Sequence, residues 1–320
     1  MQFQPWSIDY IDGLVTLWNA ELDTEFPMRK ELFLQNSFYD VNVFEEGSFI
    51  ALDDNGQVIG FVVSKTWQEK MDVAMDKRRG WIQTLLVCSD ARHNGLGTML
   101  LKKAEQALTN VGIKEIQLGG DPFHYLCGIP LNQLETIKLA EKHGYVKRID
   151  TYDLVNELAK DYVMPAHPNV EYVLLKQEEA PQLIAFLQRC FPGRWEYEAM
   201  KYFEMGGTGR EFVVLKKEGE IIGFCRINDD QSPMIAQNMY WRQLIDGEVG
   251  GIGPLGVDQN EQKQGYGLGI VQAGMAYLQQ RSVETIIIDW TFLVEFYEKL
   301  DFNVWKSYGI YLKTMAEVGD

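Results

Sequence analysis

The chain repeats a folding pattern, and that repeat limits what it can become. "FIALDDNGQVIGFVV" from Phe49 matches "FVVLKKEGEIIGFCR" from Phe212. Each reads as a strand, a polar turn with glycine and a second strand. "TLLVCSDARHNGLGTMLLKKAEQAL" from Thr84 then matches "PLGVDQNEQKQGYGLGIVQAGMAYL" from Pro254. In both, a valine (Val87, Val257) precedes a polar residue (Arg92, Gln262) by five positions, and x-x-Gly-x-Gly follows. The next segments carry matching apolar stripes: Leu100, Leu101, Ala104, Ala107 and Leu108 in one, Ile270, Val271, Gly274, Tyr277 and Leu278 in the other. That spacing marks one face of an amphipathic helix. "IKEIQL" from Ile113 answers "VETIII" from Val283, each a strand after its helix. Two copies of one α/β arrangement follow from this order. The join is expected at "KDYVMPAHPNV", where Pro165 and Pro168 interrupt any regular element. The expected domains are 1–160 and 161–320.

Bulk properties narrow the function. A chain of 320 residues has the length of about two domains. No apolar run is long enough for a membrane span, and the first residues lack the basic start and apolar stretch of a secretion signal. The four cysteines form no CxxC pair, and the four histidines have no metal-ligand spacing. A cytoplasmic protein with free thiols and no metal is expected. The net charge of −16 argues against nucleic acid, which needs a concentrated basic surface. It suits a cationic substrate such as an amine, or serves solubility alone.

The glycine loops carry the chemistry. A strand running straight into a glycine-rich helix start presents unpaired first-turn N–H groups and the positive end of the helix dipole. Missing side chains at Gly265 and Gly267, and at Gly95 and Gly97, let an anion approach the backbone. Gln262 or Arg92 adds a donor just upstream. No Gly-Lys-Ser/Thr follows, so this is not a P-loop, and the third glycine spacing of a dinucleotide fingerprint is missing. One such loop alone can be a packing turn; two at the same distance from their strands favour anion binding.

"QKQGYG" (Gln262–Gly267) and "RHNGLG" (Arg92–Gly97) resemble the [Q/R]-x-x-G-x-[G/A] signature of the GNAT N-acetyltransferases. The resemblance covers most of both halves. It implies an α/β (α+β) fold of two tandem GNAT-like domains, each a mixed, mostly antiparallel twisted sheet flanked by helices. It implies acetyl-CoA as co-substrate, its pyrophosphate held by Gln262, Lys263, Gln264, Gly265, Tyr266 and Gly267, with Leu255 and Val257 pairing with the pantetheine arm. The matching positions in the first half are Val87, Arg92, Gly95 and Gly97. "FYEKLDF" places Tyr297 where the family keeps the acid that protonates the departing thiolate; Asp301 stands where the family prefers glycine. The first half reads "LAEKHGY", with Ala140 in the tyrosine's place. It is expected to lack the acid, and the C-terminal domain to be catalytic.

The base is open at this stage. Asp289 closes the strand "TIIIDW", where burial would raise its pKa or where it can cap the next helix. Glu248, with Asp246 nearby, lies further upstream than the usual family spacing. Trp290 is a candidate wall of the acceptor pocket. Asp121, His124 and Tyr125 belong to an extra segment of the first half, expected either to reach a substrate pocket or to form a surface loop. The expected reaction moves acetyl from acetyl-CoA to the primary amine of a small molecule. The tail from Asp289 onward, with "GGDPFHYLCGIP" in the first half, resembles amino-sugar acetyltransferases. The alternatives are a non-catalytic acyl-CoA sensor or scaffold, and a protein N-acetyltransferase. Monomer and homodimer are both compatible with the sequence.

Overall fold

In a computed structural model, which describes residues 1–158 and 160–315, the chain forms two units, each built on its own run of strands. The first contains Met1–Met71, Asp76–Thr151 and the chain from Ser307 onward; the second contains Asp72–Met75 and Tyr152–Lys306.

The elements follow in order. The first half holds β1 (Gln2–Pro5), α1 (Ile11–Leu22), α2 (Lys30–Ser37), β2 (Phe49–Leu52), β3 (Val58–Thr66) and β4 (Arg79–Val87). It continues with α3 (Leu96–Asn110), β5 (Glu115–Leu118), β6 (Ile129–Pro130), α4 (Leu134–Lys142) and β7 (Val146–Glu157). The second half holds β8 (Val170–Leu174), α5 (Ala180–Cys190), α6 (Arg194–Glu204), β9 (Phe212–Lys217), β10 (Glu220–Asn228) and β11 (Val249–Val257). It ends with α7 (Tyr266–Gln280), β12 (Thr285–Thr291), α8 (Val294–Tyr297) and β13 (Asn303–Thr314). No helix among the described residues is long and apolar enough to cross a membrane.

In the first unit the strand order is β1-β2-β3-β4-β5-β13, antiparallel throughout except for parallel β4 and β5. In the second it is β8-β9-β10-β11-β12-β7, antiparallel except for parallel β11 and β12. Both units are thus mixed and mostly antiparallel. The parallel pairs are short. β4 meets β5 over Arg79–Ile82, and β11 meets β12 only over Val249–Gly251 with Thr285–Ile287. Beyond those rungs the two strands of each parallel pair part. β4 and β11 are each bulged near the same level: β4 carries Gln83 as an extra residue between the rungs of Val63 and Ser64, and β11 has Gly253 and Pro254 where β10 has only Arg226.

The helix after each loop starts as the sequence predicts. Gly95 and Gly265 cap α3 and α7 at φ of 82° and 84°, a left-handed conformation that costs glycine little. Leu100, Leu101, Ala104 and Leu108 are buried in the first unit, and Ile270, Val271, Gly274 and Leu278 in the second.

The sixth strand of each unit departs from the sequence halves. The second unit's sheet ends on β7, with Asn156 opposite Ile286 and Leu154 opposite Ile288. The first unit's sheet ends on β13, with Tyr311 opposite Leu118 and Thr314 opposite Glu115. Each half therefore completes its partner's sheet. Leu154 is fully buried in the second unit's core beside Ile286, Ile288 and Ile252. Leu154→Ala should destabilise that unit by about 2–5 kcal/mol, the usual cost of such a cavity. Urea unfolding followed by tryptophan fluorescence would measure it; an unchanged midpoint would mean that the 152–157 strand contributes nothing to that core.

Candidate active site

The second loop is built on backbone. Between Val257 and α7 the chain makes one 3-10 turn, Gln259–Glu261, then Lys263 adopts φ 64° ahead of Gly265. The Gln262 side chain donates to Val257 O at 3.3 Å, folding the loop onto its strand. Gln264 donates to Glu261 Oε2 at 3.2 Å. Tyr266 is buried against His167, and a Cβ on Gly265 would lie 3.1 Å from His167 Nε2. Gly267 faces α8, where a Cβ would lie 3.5 Å from the Phe296 ring. Leu255 and Val257 pair with Cys225 and Gly223 of β10, while β12 has already left their other side. A strand edge open there can take an extended ligand through main-chain hydrogen bonds.

Acidic side chains converge where β12 parts from β11. Asp289 and Trp290 form a bulge: two residues lie between the Ile288–Leu154 and Thr291–Tyr152 rungs, where β7 has only Asp153. Trp290 is held at φ 47°, and its N–H donates to Asp153 Oδ1 at 3.1 Å. Such strain concentrates at functional sites. The Arg194 guanidinium stacks over the Trp290 ring at 4.6 Å and donates through Nε to Glu198 Oε1 at 2.8 Å. Burial pushes the Asp289 carboxyl up to about 7; the charges of Asp153 and Glu198 push the same way, and Arg194 opposes them. Tyr297 is 6% exposed at the end of α8, and its phenol is pushed well above its ordinary value, first by burial and then by Cys225 and Asp289. It stays neutral across the physiological range. Arg226, 1% exposed, sits on β10 opposite the bulge of β11, with its guanidinium 5.4 Å from the Tyr202 ring.

Several expected residues fall elsewhere. Glu248 precedes β11 and is exposed, its carbonyl accepting from the Glu284 and Thr285 N–H groups. Gly253, where a Cβ would lie 3.9 Å from Asp289 Oδ1, is five residues further on, about 17 Å of strand. Glu248 cannot serve a reaction at Asp289, and Asp246 lies at the same far end. Asp289 is not the N-cap of α8, which is Leu293, four residues further on. Asp301 does close its helix in the left-handed conformation, at φ 64°, and pairs with Lys160.

The extra segment of the first half is neither a pocket wall nor a surface loop. Asp121, His124 and Tyr125 are buried. Lys65, fully buried, is clasped by Asp121 at 2.7 Å and Asp40 at 2.8 Å. Burial works against its charge, but the two carboxylates outweigh it and hold the amine above the usual lysine range. The acidic group nearest the end of β5 is therefore spent on an internal ammonium, and Ala140 stands buried in α4 where α8 has Tyr297.

Glu198, Asp153 and Arg226 escaped the sequence reading. A signal for Glu198 existed: Trp195, Ala199, Tyr202 and Phe203 form the apolar stripe of α6, and Glu198 interrupts it at helical spacing.

The comparisons agree with this arrangement. The model of the acetyltransferase (GNAT) family matches residues 14–145 and again 180–302. The chain belongs to the GNAT family. A relative from Dictyostelium discoideum, an N-terminal acetyltransferase complex ARD1 subunit homolog, is 33% identical over 101 residues, which is 32% of this chain and 45% of that relative. The chain thus spans less than half of the length of that protein. A GCN5-related glucosamine N-acetyltransferase region in a fungal multi-domain GH3 beta-N-acetylglucosaminidase shares the fold with a TM-score of 0.87 at 24% identity, over 97% of this chain and 38% of that one. A tandem GNAT protein from the clavulanic acid biosynthesis pathway aligns over 99% of both chains with a TM-score of 0.69 at 13% identity. Two GNAT units in one chain are a shared architecture.

The raised carboxyl makes a stability prediction. Folding favours protonated Asp289, so the folded state binds more protons than the unfolded chain between the ordinary value of 3.8 and about 7. Its contribution to stability is present below that window and is lost as pH rises through it. Asp289→Asn should leave stability unchanged near pH 3.5 and raise the midpoint of unfolding at pH 8. Equal midpoints at both pH values would mean that Asp289 is not perturbed.

Proposed function

We propose that the second unit transfers the acetyl group of acetyl-CoA to the primary amine of a small molecule, with amino sugars as the first acceptors to test. The observation that carries this reading is Asp289, a carboxyl pushed to about 7 at the open end of the parted strands, near Tyr297. A base poised near the working pH is what amine acylation needs, because the ammonium must lose a proton before its nitrogen can attack. Family membership supports the acetyl donor. The structural neighbour described as a glucosamine N-acetyltransferase region supports the acceptor class. Asp153 and Glu198 add negative charge beside Asp289, which favours a cationic acceptor and disfavours one bearing an acid.

In this reading the N–H groups of the Gln262–Gly267 loop hold the pyrophosphate, and the free edge of β11 at Leu255–Val257 receives the pantetheine arm. Ionised Asp289 takes a proton from the acceptor ammonium. The freed amine attacks the thioester carbonyl carbon and a C–N bond forms; the C–S bond breaks with its electron pair leaving on sulfur, and the nitrogen gives up its second proton to solvent to leave the amide. Tyr297 faces the departing sulfur. Its phenol is raised above an ordinary thiol's value of about 8.5, so it stabilises the thiolate chiefly as a hydrogen-bond donor. The carboxylate lost from the first unit to Lys65 supports placing the chemistry in the second.

The Dictyostelium relative favours a second reading, in which the amine belongs to a protein N-terminus. A panel of glucosamine, related amino sugars and N-terminal peptides separates the two. Asp289→Asn should lower kcat/KM by roughly 100-fold and abolish the rise of rate through pH 7. Tyr297→Phe should lower kcat by roughly tenfold with CoA binding retained. Full activity in Tyr297→Phe would make that tyrosine structural, and CoA binding without turnover of any amine would leave an acyl-CoA sensor.

A further inference from the structure

We propose that His167 is a phosphate-binding residue of the second loop, its Nε2–H donating to the pyrophosphate of CoA. This role rests on the acetyl-CoA reading above and adds a side-chain donor to a cradle so far made of backbone.

His167 lies in the segment that leads into β8, and that segment is fastened along α7. The Gln279 side chain donates to Lys160 O at 3.0 Å and accepts the Tyr162 N–H at 2.9 Å. Gln272 donates to Val163 O at 2.9 Å. Gln279, Gln272 and Gly265 follow one another at steps of seven residues, about two helical turns each, so they share one face of the helix. The segment therefore runs along that face toward the N-terminus of α7 and brings His167 to the capping glycine.

The ring is aimed as well as placed. A Cβ on Gly269 would lie 3.0 Å from His167 Cε1, and one on Gly265 would lie 3.1 Å from Nε2. The Cε1–Nε2 edge thus follows the first turn of α7 toward its start. Nδ1 lies 2.9 Å from the Tyr172 hydroxyl. Burial, and then the charge of Tyr266, pushes the Tyr172 phenol up to about 12, so it keeps its hydrogen. Among the described residues no other acceptor takes that hydrogen, which assigns it to Nδ1. With Nδ1 accepting, Nε2 is the nitrogen that carries hydrogen. Tyr266 braces the ring edge-to-face, with 5.4 Å between centroids. Gly269 belongs to this support rather than to the cradle: it is buried, and a Cβ there would lie 2.3 Å from Tyr172 Oη.

The loop in front of this donor is open. Gln262, Lys263, Gln264 and Gly265 are exposed, and among the described residues nothing accepts from His167 Nε2. A hydrogen bond to a charged oxygen is a strong one, and a side chain already oriented loses little freedom in making it. The first loop differs at this point. A Cβ on its capping Gly95 would meet nothing within 4 Å, so open space flanks that glycine where the imidazole flanks Gly265.

The test is calorimetric titration of CoA and of 3′-dephospho-CoA into the full chain as wild type, His167→Ala and His167→Gln. Both ligands should bind His167→Ala roughly tenfold more weakly than wild type, the loss of one hydrogen bond to a charged oxygen. His167→Gln keeps an N–H donor near the position of Nε2 and should recover most of that loss. Wild-type affinity in a folded His167→Ala would overturn the proposal. A glutamine variant as weak as the alanine one would overturn it too, because the ring would then act by packing. A loss seen with CoA and absent with 3′-dephospho-CoA would move the contact to the 3′-phosphate and overturn the assignment to the pyrophosphate. If His167→Ala melts below the titration temperature, Tyr172→Phe, which leaves the ring in place and frees Nδ1, replaces it. Both ligands should then bind about two- to threefold more weakly, and unchanged affinity would overturn the proposal. Failure of the acetyl-CoA reading looks different, because wild type would then bind neither ligand.

Discussion

The site depends on a parallel pair that stops early. β11 and β12 share three rungs and then separate, and everything attributed to the second unit sits in or beside that opening. Had the pairing continued, β12 would cover the Leu255–Val257 edge and Asp289 would be one more ladder residue. The bulges help to keep the strands apart. Extra residues in β11 opposite β10, and in β12 opposite β7, turn both strands at the level where they part. The strain at Trp290 and the raised Asp289 carboxyl are local consequences, a backbone and a charge held where neither would settle alone.

The two units share that opening but have used it differently. In the second, carboxylates line it and the nearby guanidinium, Arg194, is stacked on Trp290 and bonded to Glu198. In the first, the corresponding acids close on Lys65, and the segment around Tyr125 is packed inward. A buried pair or triad of this kind adds little net stability over apolar packing, yet removing one partner would be costly. It fixes the segment's conformation and removes the free carboxylate that a base would require.

Much of this was legible in sequence because it repeats or follows a fixed spacing. The glycine loops, the helix stripes, Tyr297 and the position of Asp289 at a strand end all follow from local pattern. Glu198 and Asp153 were not legible, because they arrive from α6 and β7, elements in which the two halves no longer match. Glu248 lies at the far end of β11, beside the rungs where that strand is still paired with β12, in keeping with its longer-than-usual spacing from Val257. The inward packing of Asp121, His124 and Tyr125 was hidden for a different reason: polar residues in a long connection look like a surface loop unless their buried partner, Lys65, is known. The destination of the last strand of each half was equally hidden, since β7 and β13 occupy equivalent places in the repeat and either could complete either sheet.

That exchange has a consequence for how the protein is made. During synthesis β5 emerges long before Tyr311, its neighbour's residue, and until that residue is made the first sheet has an exposed edge at Leu118. At roughly 5–20 residues per second the wait is on the order of ten seconds or more. The second unit has no such delay, because 152–157 precede the strand they flank. The unit assigned to chemistry can therefore finish first, and the N-terminal unit, although made first, is completed last.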